Sequence, residues 1–207
     1  MNYSERRRKV WESMENNSIL FLYSGKALHI SADAYQHFEA NRQFFYLTGI
    51  RRENMVLILD KTGEKLEETL LVEPSDPKVE RWTGKKLTKE EAKEISGIEK
   101  IELVAGTTGK ITYFMNHKAP NKVYFDMYRH NISDLPDYNV VKAQELLSVY
   151  PGTSIGNIFP IVAKLRMVKD ADEVEATKKA IEVTKEGLNH VLKTLYRNFV
   201  LILLKNN

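Results

Sequence analysis

Three short apolar runs limit what this chain can become. Ile19-Leu20-Phe21-Leu22-Tyr23, Met55-Val56-Leu57-Ile58-Leu59 and Thr69-Leu70-Leu71-Val72 have strand length and end at turn-forming residues. The first stops at Ser24-Gly25 and reads as a buried strand. Lys61-Thr62-Gly63-Glu64-Lys65 lies between the other two and supplies hairpin chemistry. Residues 122–127 form a further strand, with Val123 and Phe125 on one face.

Helical signals fall between these runs. Ser4 is placed to cap a first helix that carries Val10, Trp11 and Met14 as its apolar stripe. Thr88-Lys89-Glu90-Glu91 is a capping box, and Gly97 stands where the helix should end. Residues 106–117 have room for another helix, and residues 142–150 for one stopped by Pro151-Gly152. Strands interleaved with helices indicate an α/β domain to about residue 160. At 207 residues with 43% hydrophobic content, the chain can bury a sizeable core. Its charge, 31 basic against 28 acidic residues, is too balanced to point to nucleic acid or a membrane surface. The absence of Cys excludes disulfides, thiolate metal sites and thiol catalysis. With no signal-peptide pattern and no apolar stretch of membrane-spanning length, a cytoplasmic location is expected.

The last segment has a different character. Asp170-Ala171-Asp172-Glu173 forms a second capping box. Val174, Thr177, Ile181, Thr184, Leu188, Val191 and Leu195 then recur at alternating spacings of 3 and 4, on one face of a long helix. Such a stripe needs a cover. The six apolar residues Phe199-Val200-Leu201-Ile202-Leu203-Leu204 have the composition of an aggregation-prone β segment.

Several chemical motifs fail on context. Gly152-Thr153-Ser154-Ile155-Gly156 fits the G-x-S-x-G of serine hydrolases, with Asp170 or Asp172 and His190 following in triad order. A helix and Pro151 precede it where a buried strand is required, and His190 lies on the long helix. Hydrolysis through Ser154 is thus a remote alternative. Gly106-Thr107-Thr108-Gly109-Lys110 lacks the first Gly and last Ser/Thr of a phosphate loop. His37-Phe38-Glu39 has no Cys to complete a zinc deaminase site. The five histidines are scattered without metal-ligand spacing. Phe38, Phe44, Phe45 and Tyr46 cluster as core aromatics, whereas Trp82, among Arg, Lys and Gly, suits a half-exposed anchor at an interface or lid.

Five stretches, in order, resemble the N-terminal domain of aminopeptidase P, the Xaa-Pro aminopeptidase of the creatinase/prolidase superfamily. They are Arg6-Arg7-Arg8, Ser31-Ala32-Asp33, Asn41-Arg42-Gln43-Phe44-Phe45-Tyr46-Leu47-Thr48-Gly49-Ile50, Glu80-Arg81-Trp82-Thr83-Gly84-Lys85-Lys86, and Leu165-Arg166-Met167-Val168-Lys169-Asp170-Ala171-Asp172-Glu173. Glu39 departs from the family, which often has Arg there.

The resemblance implies a mixed sheet flanked by helices, of ribonuclease-H-like type, over residues 1–160. Residues 161–207 would be a linker and the first helix of a truncated pita-bread catalytic domain. In the full enzymes that second domain holds two manganese ions on two Asp, two Glu and one His, and cleaves before proline. No cofactor is expected on this chain, and proline-containing peptides are expected as substrates of the full enzyme only. The N-terminal domain would serve oligomerisation and access, with Trp82 reaching a neighbouring subunit's active-site mouth. Self-association through the 174–195 helix or the Trp82 region is expected, without nucleic acid or membrane. The alternative is a non-enzymatic protein-binding module on the same fold, as in a histone-chaperone subunit.

Overall fold

The structure is a computed structural model that describes residues 2–205, with the side chains of residues 77, 79, 83 and 196–205 left out of the description. It divides into a unit spanning Asn2–Leu165 and a second unit from Arg166 onward.

In chain order the first unit contains α1 (Tyr3–Ser13), β1 (Ser18–Tyr23), β2 (His29–Ser31), β3 (Ala34–Tyr35), α2 (Arg42–Thr48), β4 (Val56–Lys61) and β5 (Glu67–Val72). It continues with α3 (Pro77–Thr83), α4 (Lys89–Ser96), β6 (Ile101–Leu103), a 3-10 turn, α5 (Thr107–Tyr113), a π turn, β7 (Lys122–Phe125), α6 (Tyr138–Val149) and β8 (Ile155–Asn157). Helix α7 (Phe159–Met167) runs to the division between the units, and α8 (Ala171–Lys205) forms the second.

Six strands form one mixed sheet in the order β6-β5-β4-β1-β7-β8. The β4–β5 hairpin is antiparallel, as its turn residues predict, and β1 also pairs antiparallel with β4. The β1–β7, β7–β8 and β5–β6 pairs are parallel. This is the mixed α/β architecture expected from the sequence. Every residue of β1 and β4 is buried, because helices cover both faces. Leu20, Leu22, Leu57, Leu59 and Leu70 pack with Val10, Phe44, Leu47, Ala92 and Val162 on one face. Ile19, Phe21, Tyr23, Val56, Ile58, Val123 and Phe125 pack with Ala143 and Leu146 on the other. Val123 and Phe125 thus share a face, as their alternation requires.

The Thr88 capping box is present in both directions, and Gly97 ends α4. The first helix starts earlier than Ser4 suggests. Asn2 caps it, accepting from Glu5 N at 3.0 Å, since Asn serves this role as well as Ser. The helix expected over 106–117 is α5 continued by the π turn, and the one expected from residue 142 begins at Tyr138, capped by Asp137.

In the second unit, the Asp170 box closes as predicted: Glu173 N donates to Asp170 Oδ1 at 2.8 Å, and Asp170 N to Glu173 Oε2 at 3.0 Å. Helix α8 has 35 residues, about 52 Å of axis. The backbone of the 199–204 segment is helical, so its β-type composition does not set its conformation. The side chains of that segment lie outside the described residues. The apolar members of the stripe are exposed, from 42% at Val174 to 61% at Leu195. Thr177 and Thr184 turn their hydroxyls back onto the carbonyls of Glu173 and Ala180. Among the described residues, no helix is long and apolar enough to cross a membrane.

Candidate functional site

The Asn41–Ile50 stretch packs on one face of the sheet, and most of its residues hold structure. Asn41 caps α2: its Oδ1 accepts from the N–H groups of Gln43 and Phe44, both at 3.0 Å. Its Nδ2 donates to Asp126 Oδ2 at 2.8 Å. One side chain therefore starts the helix and ties it to the end of β7. Burial pushes the Asp126 carboxyl above the usual range, while the hydrogen bonds from Asn41 and the Tyr128 backbone pull it down. Asn41→Ala should cost about 2 kcal/mol, combining a lost cap with an orphaned buried acceptor. Asn41→Ser keeps the cap and should recover roughly half of that loss; urea unfolding of the two variants measures the split.

The remaining residues of the stretch are equally occupied. Phe44 and Leu47 are fully buried. Tyr46 lies under the Arg6 guanidinium, 4.2 Å from its ring centre. Thr48 Oγ1 donates to Phe44 O at 2.8 Å and accepts from Ile50 N at 3.2 Å. Gly49 has φ +73°, and a Cβ there would lie 2.5 Å from the Tyr3 ring. That position demands glycine on both counts.

Beyond Ile50 the chain opens into a cleft of about 240 Å³, lined by Arg51, Arg52, Glu53, Glu73, Lys85 and Lys86 among others. Both carboxylates are in use. Glu73 pairs with Lys86 at 2.6 Å and also accepts from Asn54, while Glu53 accepts from Ala27 N at 3.0 Å. Lys85 pairs with Glu91 at 2.7 Å, which holds its ammonium above the ordinary lysine value. Arg51 covers the Phe45 ring at 4.5 Å. Arg51, Arg52, Lys85 and Lys86 give the cleft its positive charge.

Trp82 sits near the end of α3 and is 91% exposed, more open than the half-exposed anchor expected. Asp76 caps this helix and Glu80 accepts from Ser75 Oγ and Lys86 N, which fixes the turn that follows. Glu39, the departure from the family pattern, is exposed beside His37 at 3.7 Å.

The serine-hydrolase constellation is not assembled. Asp172 and His190 lie eighteen residues apart on one straight run of helix, about 27 Å along the axis, and Asp170 lies further still. Ser154 is in the turn before β8, where its carbonyl accepts from Val123 N; a nucleophile elbow needs a strand before it and a helix after it. Among the described residues no three His, Asp or Glu side chains gather as a metal site.

Arg7 enters the sequence reading only as part of a motif, yet its guanidinium makes four hydrogen bonds inside the fold. It is fully buried and forks onto Glu68 at 2.7 and 3.0 Å. Its Nη1 donates to Leu47 O at 2.8 Å and Ser96 O at 2.9 Å, the last turns of α2 and α4. The signal was its spacing: Arg7, Val10 and Met14 stand at i, i+3 and i+7, on the helix face that enters the core.

Comparison with known proteins agrees with this architecture. The family model for the aminopeptidase P N-terminal domain matches residues 3–132. The Xaa-Pro aminopeptidase of Haemophilus influenzae is 26% identical over 200 residues, covering 95% of this chain and 43% of its own length. Intermediate cleaving peptidase 55 of Saccharomyces cerevisiae is 22% identical, with 96% and 40% covered. A solved structure from Bacillus anthracis, assigned as an aminopeptidase P, superposes with a TM-score of 0.86 at 34% identity, over 90% of this chain and 44% of that one. The chain thus spans about two fifths of the length of the curated relatives it matches. Its matched residues, strand order and motif contacts make it a member of the aminopeptidase P N-terminal domain family.

Proposed function

We propose that this chain works by assembly and access, as the non-catalytic domain of a metal-dependent Xaa-Pro aminopeptidase, and cleaves no peptide by itself. The observation that carries this reading is Trp82. A tryptophan 91% exposed on a capped helix leaves most of a large apolar ring in water, a cost that contact with another subunit removes. In the full enzyme that contact would lie at the mouth of a neighbouring active site. Lys85 and Lys86, three and four residues further along the chain, line the basic cleft together with Arg52. The exposed stripe on α8 supplies a second apolar surface for self-association.

The test has two readouts on the 207-residue chain. Incubation with Mn²⁺ and an Xaa-Pro peptide should give no release of the first residue. Sedimentation should show species larger than the monomer, and Leu188→Asp or Trp82→Ala should shift them toward it. Turnover by the chain alone overturns the non-catalytic assignment; a strictly monomeric wild type overturns the assembly role.

A further inference from the structure

The β4–β5 hairpin brings three connections to one place. Its strands run antiparallel, so the segment that leads into Val56 and the segment that leaves Val72 lie together. Asn54 of the first donates to Glu73 of the second. Lys85 and Lys86, which follow α3, complete the wall of the 240 Å³ cleft. Four cationic side chains line this space, Arg51, Arg52, Lys85 and Lys86, against the two carboxylates of Glu53 and Glu73.

The pairing inside the cleft leaves the arginines over. Glu73 is taken by Lys86 at 2.6 Å and by Asn54, and Glu53 by the Ala27 N–H at 3.0 Å. Lys85 turns to Glu91 of α4 at 2.7 Å. Among the described residues, neither Arg51 nor Arg52 forms an ion pair or a hydrogen bond. The Arg51 guanidinium rests on the Phe45 ring, 4.5 Å from its centre. Such stacking orients the group and uses none of its N–H donors. Arg52 faces a like charge: it acts against the Lys85 ammonium and opposes the pull of Glu91. Water solvates these exposed guanidiniums but does not neutralise them. A concave wall with an excess of one sign concentrates its field in the cleft and draws the opposite charge there.

We propose that this cleft binds a phosphate dianion, free or as a phosphomonoester, held between the guanidiniums of Arg51 and Arg52. The lining carries an excess of two positive charges, which a dianion cancels and a single carboxylate does not. The guanidinium fork matches phosphate oxygens two at a time. The space suffices: a cavity of about 150 Å³ holds benzene, which is larger than a phosphate group. The reading rests on the cleft alone and is independent of Trp82 and of the assembly role.

Inorganic phosphate, O-phosphoserine and acetate are the probes, titrated by calorimetry into the 207-residue chain at low ionic strength, where screening is weak. Both phosphates should saturate, and the tighter of the two identifies whether the group arrives free or on a side chain. Acetate should bind about tenfold more weakly, the worth of one charge-assisted hydrogen bond. Arg51 and Arg52 are exposed, so Arg51→Gln and Arg52→Gln leave the fold intact. Each should weaken phosphate binding about tenfold, and the double variant should not saturate. Lys100→Gln removes a positive charge outside the cleft lining and should leave the affinity unchanged. Failure of wild type to saturate with either phosphate overturns the proposal. So does acetate binding as tight as phosphate, binding that persists in the double variant, or an equal loss in Lys100→Gln.

Discussion

Arg7→Ala should lower the unfolding free energy of the Asn2–Leu165 unit by about 3–5 kcal/mol, the loss typical of breaking a buried ion pair from one side. The guanidinium is fully buried and satisfies four acceptors at once: two carboxylate oxygens of Glu68 and the carbonyls of Leu47 and Ser96. Those carbonyls belong to the last turns of α2 and α4, where helices have acceptors with no internal donor and a partial negative charge. Removing the side chain leaves both helix ends facing a void. Glu68 suffers less, since its side chain is 20% exposed and can turn to water. Glu68→Gln should therefore cost clearly less, about 1–2 kcal/mol, because Arg7 keeps its two carbonyls. At roughly 2–4 °C per kcal/mol for a unit of this size, Arg7→Ala should melt about 10 °C below wild type. A melt within 2 °C or so of wild type would show that the helix ends do not depend on this side chain.

The parts of the fold that were legible in the sequence are those whose signals are local. The runs that became β1, β4, β5 and β7 carry enough apolar residues to be strands wherever they are placed. The two capping boxes name their own helices. The unread elements are short and owe their form to the surroundings. Helix α2 is rich in aromatic residues of modest helix propensity; Asn41 at its start and Gly49 after its end impose the turn. Helix α7 was hidden by Pro160, which suggests a loop but is tolerated in a first helical turn. Strands β6 and β8 have only three residues each and exist because a parallel neighbour offers them a ladder. Trp82 and the Lys85-Lys86 pair stand out in the sequence as a large ring among charges.

The G-x-S-x-G stretch has a structural cause, and it yields the second large effect. Gly156 pairs with Tyr124 across the β7–β8 ladder. A Cβ at Gly156 would lie 2.6 Å from two atoms of the Tyr124 ring and 2.9 Å from the Lys122 side chain. Its backbone needs no unusual dihedral, so the demand for glycine is purely one of space. Tyr124 is 6% exposed and part of the core, so its ring cannot swing aside without moving its neighbours. Gly156→Ala should cost about 3 kcal/mol, the upper end for overpacking. Gly152 has nothing within 4 Å of its Cβ position, and Ser154 is exposed; Gly152→Ala and Ser154→Ala should each change stability by no more than about 0.5 kcal/mol. A hydrolase elbow would make the opposite ranking, with Ser154 indispensable to activity and both glycines needed for the turn. Combining Gly156→Ala with Tyr124→Leu distinguishes crowding from any other cause. The double variant should be more stable than the sum of the single losses predicts, by about 1–2 kcal/mol, because the leucine vacates the space that the new methyl group takes. Strict additivity in urea unfolding would mean that the ring and the glycine do not constrain each other.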